Sequence, residues 1–168
     1  TALVGLLDAF WDSKGVFEAS EFRQFCAPVV PLVRYPKATF TNNEIFEASL
    51  EIANYSDTDI ENQLVSWTLK NSKDIIVSQG KIEKVNVPVG SNEEIGSISC
   101  ILAQVKEADE LTLSVSLDGT DYMNTWRIWV YPVSIEMEKN DIIITSDVDE
   151  AESALKKGRK VLFNPRFE

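Results

Sequence analysis

An antiparallel β-sandwich is the fold class this sequence predicts, and three observations predict it. From Val29 onward apolar residues recur with period 2 for about a hundred residues. Turn-forming clusters such as Asn71-Ser72-Lys73-Asp74, Gly90-Ser91-Asn92 and Asp118-Gly119 interrupt the alternation, at the roughly 8–12-residue intervals of short-stranded sandwiches. The composition, 44% hydrophobic and 26% charged, is globular, and 168 residues make one ordinary domain, or one domain with trimmed pieces of its neighbours.

The chain opens with an apolar run, ALVGLLDAFW at 2–11, which periodicity alone leaves open between a buried strand and a helix fragment. EASEFRQFC follows as a short helix. Ser20 is its expected N-cap, Phe22, Phe25 and Cys26 form its apolar side, and Pro28 and Pro31 end it.

The sandwich strands come next. Val29–Arg34 is extended and broken by Pro36. Ile45–Asn54 is the cleanest, with Phe46, Ala48, Leu50 and Ile52 inward and Glu47, Ser49 and Glu51 toward water. Asn62–Lys70 turns Val65, Trp67 and Leu69 inward. Ile75–Ser78 and Lys81–Val87 are read as separate strands punctuated by Gly80, and Ile95–Leu102 places Ile98, Cys100 and Leu102 on one face. Leu111, Leu113, Val115 and Leu117 alternate with polar residues before the tight Asp118-Gly119 hairpin. In the last strand Tyr122, Trp126, Ile128 and Val130 share the core face, and Thr125, Arg127, Trp129 and Tyr131 the other.

Seven or eight such strands indicate the immunoglobulin-like variety, with Trp67 as its core tryptophan. Cys26 lies in the helical segment and the second strand carries no cysteine, so both thiols are read as free and buried. After the sandwich, Asp141–Thr145, a helix over 147–157 closed by Gly158, and Lys160–Phe163 make one βαβ unit. The expected division is 1–27, 28–134 as the sandwich, and 135–168 as the opening of an α/β domain.

Several functions are excluded or disfavoured. Without histidine there is no Ser-His-Asp or Cys-His nucleophile and no His-ligated zinc. A net charge of −11 disfavours nucleic acid and anionic membranes. No run approaches a membrane span, and no signal peptide opens the chain. Asp57, Asp59 and Glu61 alternate as calcium ligands can, but the loop lacks the glycine and the later bidentate acid, and no metal or other cofactor is expected. Asn54-Tyr55-Ser56 has the form of a glycosylation acceptor and carries no weight here.

Three stretches, LLDAFWDSKG at 6–15, EFRQFCAPVVPLVRYPK at 21–37 and NTWRIWVYP at 124–132, resemble segments of large bacterial members of glycoside hydrolase family 2, the β-galactosidase-like enzymes. The resemblance implies a parent with a (β/α)₈ catalytic barrel, closed by a segment like LLDAFWDSKG, and an immunoglobulin-like domain after it. It implies a retaining mechanism with two glutamates on earlier barrel strands, and no acid pair of this chain matches them. It also places Trp11, with Asp12 beside it, in the position of an aromatic that lines the sugar site. A periplasmic or extracellular parent is implied in the same way.

The expectation is therefore a catalytically silent spacer of a glycosidase acting on β-linked sugars. Its partners would be the neighbouring domains of the parent chain, and the isolated chain is a candidate dimer. Two rivals stand beside it. One is a carbohydrate-binding module using Trp129 and Tyr131, with Arg127 between them. The other is an adhesin or scaffold domain. The two aromatics on a nominally wet face, read as an inter-domain contact or a sugar platform, are what separate these readings.

Overall fold

The alternating stretch folds as eight strands in two sheets that bury their apolar faces against each other. The computed structural model describes residues 5–134 and 142–165. A short helix α1 (Ala19–Arg23) precedes β1 (Val29–Arg34), β2 (Thr39–Thr41), β3 (Ile45–Asn54), β4 (Ile60–Lys70), β5 (Ile76–Val87), β6 (Ser91–Ile101), β7 (Asp109–Leu117) and β8 (Met123–Tyr131). One sheet has the order β1-β3-β6 and the other β2-β8-β7-β4-β5. This is an immunoglobulin-like β-sandwich, antiparallel throughout except where β2 runs parallel to β8.

The inward residues expected from period 2 form the core. Phe46, Leu50 and Ile52 of β3 face Val65 and Leu69 of β4, Leu111 and Leu113 of β7, and Ile128 and Val130 of β8, all fully buried. Complete burial stabilises by about 1.5–3 kcal/mol per large side chain. Trp67 is buried on β4, and its cross-strand partner on β5 is Gly80. A β-carbon at Gly80 would lie 2.7 Å from the indole Nε1, so the missing side chain makes room for the ring.

That contact corrects the reading of Gly80 as punctuation, because β5 runs through it without a break. Two other departures are local. The three-residue β2 is too short to announce itself by alternation. In β6 the register with β3 shifts beside Leu50, and Gly96 there takes φ +156. Asn124 is buried in β8 and donates through Nδ2 to the Pro31 carbonyl at 3.2 Å, joining the two sheets.

The residues before β1 depart most from expectation. The Asp8 carboxylate accepts the N–H groups of Phe10 (2.8 Å) and Asp12 (3.0 Å), which turns the chain back so that Leu7 bridges Ser13. The 2–11 run is thus neither buried strand nor helix over its described residues 5–11. Helix α1 is capped by Glu18, not Ser20, in a capping box with Glu21. It has no buried residue, and Cys26 beyond it is exposed, so only Cys100 of the two free thiols is in the core.

The chain divides into two units, Thr1–Val133 and Ser134–Glu168. In the second, β9 (Ile142–Thr145) pairs in parallel with β10 (Lys160–Phe163), connected by α2 (Val148–Lys156). The expected strand start at Asp141 lies outside the described residues. Asp147 caps α2 by accepting from Asp149 and Glu150, and Gly158 ends it at φ +72. Ala151 and Ala154 are buried, but Leu155, expected on the same apolar side, is exposed.

Candidate functional site

Trp129 and Tyr131 stand two residues apart on β8, so their side chains project from the outer face of the larger sheet, exposed at 37% and 47%. Their backbone is held on both sides. Trp129 donates its N–H to Ala38 and pairs with Glu110 of β7, while the Tyr131 carbonyl accepts from the N–H of Asn42. Asn42 also donates to the Val105 carbonyl and accepts from Val133, which ties the turn after β2 to the loop before β7. The backbone that carries the two rings is therefore fixed by sheet and loop together.

They open onto a hollow of about 320 Å³ bounded also by Ser72, Ala108, Asp109 and Glu110. Its acids are partly engaged. Asp109 accepts the Ser72 N–H at 3.3 Å, and Glu110 lies 3.6 Å from the Arg127 guanidinium. Arg127 thus pairs with a cross-strand acid on an exposed face, where such a pair contributes little to stability. A second hollow of about 270 Å³ shares Asp109 and continues past Lys73, Gln104 and Glu107.

Trp11 is not among the residues around this hollow. It sits at the tip of the Asp8 turn with φ +68, in the left-handed region that a bulky residue rarely adopts, and it is 83% exposed, as is Phe10. Asp12 is also exposed and serves the turn through its carbonyl. Nearby, Leu6, Leu7, Phe17 and Phe22 line an apolar groove of about 610 Å³. Further along, Thr125 on the outer face of β8 donates to the Gln24 side chain.

Other sequence candidates resolve into structural roles. Asn54 is fully buried and its Nδ2 donates to the carbonyls of Thr58 and Val87, so its amide is occupied within the fold. Asp59 accepts the Val89 N–H. Among the described residues no group of three or more His, Cys, Asp or Glu could hold a metal ion, and no helix is long and apolar enough to cross a membrane.

Ser72, Asp109 and Glu110 were not singled out from the sequence. Ser72 belongs to the distant β4–β5 turn, and for Glu110 the β7–β8 register explains why. A two-residue Asp118-Gly119 loop would set Trp129 opposite Ala108, but the loop closes instead where Leu117 donates to Tyr122, which brings Glu110 opposite Trp129.

A family model described as a domain of unknown function, DUF8488, matches residues 44–132, which is more than half of the chain. The chain belongs to this family. The DUF8488 match runs from the start of β3 to the end of β8 and so includes Trp129, Tyr131, Asp109 and Glu110. No curated protein matches the chain.

Among solved structures, the DUF8488 chain is similar to the CARDB domain of a Pyrococcus furiosus protein, at 10% identity and TM-score 0.45, covering 62% of this chain and 93% of that one. It is similar to a cycloisomaltooligosaccharide glucanotransferase of Paenibacillus sp., at 15% identity and TM-score 0.48, covering 74% of this chain and 17% of that one. It is also similar to a β-glucuronidase from glycoside hydrolase family 2, at 10% identity and TM-score 0.38, covering 61% of this chain and 11% of that one.

Proposed function

We propose that this chain is a non-catalytic immunoglobulin-like spacer of a multidomain glycoside hydrolase, β-galactosidase-like, that acts on β-linked sugars outside the cytoplasm. The observation that carries the reading is the Asp8 turn. A strained backbone presents Phe10 and Trp11 to solvent side by side, next to the apolar groove of Leu6, Leu7, Phe17 and Phe22. Strain of this kind is kept where the displayed group has a use. Aromatics so exposed gain about 1.5–3 kcal/mol each on being covered by another surface.

In this reading the turn docks on the catalytic barrel, Trp11 completes the barrel's sugar site, and the sandwich holds the barrel against the following domain. The resemblance of LLDAFWDSKG to a barrel-closing segment supports the same assignment. The parent gene tests it: a (β/α)₈ barrel with two glutamates placed for a retaining mechanism is expected upstream of Thr1. Its absence there sinks the glycosidase reading. On its own the chain should show no β-galactosidase activity, and measurable turnover would overturn the spacer role.

A further inference from the structure

We propose that the hollow beside Trp129 and Tyr131 is a binding site for a neutral oligosaccharide, so that the sandwich itself grips glycan. The proposal does not rest on the spacer reading, since the hollow belongs wholly to β7, β8 and the adjoining turns. Three features point to this ligand class.

The first is the arrangement of the rings. Residues two apart on a strand are about 7 Å apart, so Trp129 and Tyr131 project side by side from one sheet face rather than converging as the walls of a cage do. Such a pair suits flat, apolar C–H faces that follow one another along a chain, as successive pyranose rings do. A compact cation would call for several rings around one point.

The second feature is polarity. The groups around the pair are Ser72, Asp109, Glu110 and Arg127, which accept from or donate to hydroxyls. Glu110 is paired with Arg127, and Asp109, bonded only to the neutral Ser72 N–H, keeps its negative charge, which turns away anionic glycans and leaves neutral hydroxyls as the groups it can accept from. The third is pre-organisation. Both aromatics sit on a strand whose backbone is pinned by Ala38 and Asn42, so binding orders little that is not already ordered. The volume of about 320 Å³ reaches the lower end of the ~300–1,000 Å³ range of small-molecule sites. The second hollow beyond Asp109 lets a chain of sugars run on.

Calorimetric titration of the intact chain with xylotetraose, cellotetraose and β-1,4-galactotetraose, and with tetramethylammonium chloride, tests the assignment. Saturable binding of at least one tetrasaccharide is expected, weakened about tenfold or more in Trp129→Ala and likewise in Tyr131→Ala, and unchanged in Tyr55→Ala, an exposed aromatic outside both hollows. Because both rings are exposed, the variants should melt like the parent. Should one fail to fold, the other carries the test. No saturable heat with any tetrasaccharide overturns the proposal, as does affinity that survives both substitutions. Binding of tetramethylammonium alone, lost in Trp129→Ala, would assign the pair to cations and overturn the proposal equally.

Discussion

Replacing Gly80 by alanine should destabilise the sandwich although nothing about the Gly80 backbone forbids it. Its φ is not in the left-handed region, so alanine can take the conformation and would gain about 0.4–1 kcal/mol by restricting the unfolded chain. Space opposes this. The new β-carbon would lie 2.7 Å from Trp67 Nε1 and 2.8 Å from both Cε2 and Cζ2, where carbon contacts normally settle at about 3.5–4.0 Å. The indole cannot retreat, because Trp67 is buried with β7 paired along its other side at Val115. Overpacking of this kind costs about 1–3 kcal/mol, so the steric term wins by about 1–2 kcal/mol. For a unit of this size that lowers the melting temperature by roughly 4–8 °C, readable by circular dichroism. The same substitution in a Trp67→Phe background should cost less than half as much, since the smaller ring vacates the space. An unchanged or raised melting temperature for Gly80→Ala, or an equal cost in both backgrounds, would refute the argument.

Three further outcomes follow from the same packing. Glu44 accepts from the Lys37 ammonium and from the N–H and hydroxyl of Thr41, which lowers its pKa from 4.5 to about 2. Because the folded value is depressed, its stabilisation is present above about pH 4.5 and disappears as the pH falls through 2. The melting-temperature gap between the parent and Glu44→Gln should therefore close on acidification, and a gap constant with pH would contradict this. Cys26 is exposed whereas Cys100 is buried, with burial raising its thiol pKa, so a thiol reagent should titrate one cysteine in the native chain and both after unfolding. Asn124→Ala removes the inter-sheet bond to Pro31 and leaves the Thr125 N–H without the Asn124 oxygen. It should cost about 1–3 kcal/mol in urea unfolding, and a loss near zero would show that water replaces the amide.

The strands that were legible from sequence are those with one wet face. In Ile45–Asn54 and Asp109–Leu117 every second residue is apolar because only one side meets the opposite sheet, and the observed burial follows that alternation. What alternation cannot carry is pairing. The parallel contact of Thr39–Thr41 with β8 involves three residues and no periodic signal. The continuity of β5 depends on a tryptophan thirteen positions away filling the space at Gly80. The candidate site was half legible for the same reason. Trp129 and Tyr131 stood out as aromatics on a nominally wet face, while Glu110 and Asp109 became their neighbours only through a hairpin register that the Asp118-Gly119 pair does not fix.

The distribution of apolar surface separates what the sandwich does for itself from what it offers to others. Its two inner faces are closed, and even the buried amides of Asn54 and Asn124 are bonded within the fold. The exposed aromatics fall into two sets of different character. Phe10, Trp11 and Phe25 are exposed in the same segment whose Leu6, Leu7, Phe17 and Phe22 line an apolar groove with few polar groups to orient a ligand, which suits a broad contact with a folded neighbour. Trp129 and Tyr131 are fewer, rigidly mounted and ringed by hydrogen-bonding groups, which suits a small polar ligand with apolar faces. A contact with a neighbouring domain accounts well for the first set. It leaves the polar rim of the second without a purpose, and a glycan supplies one.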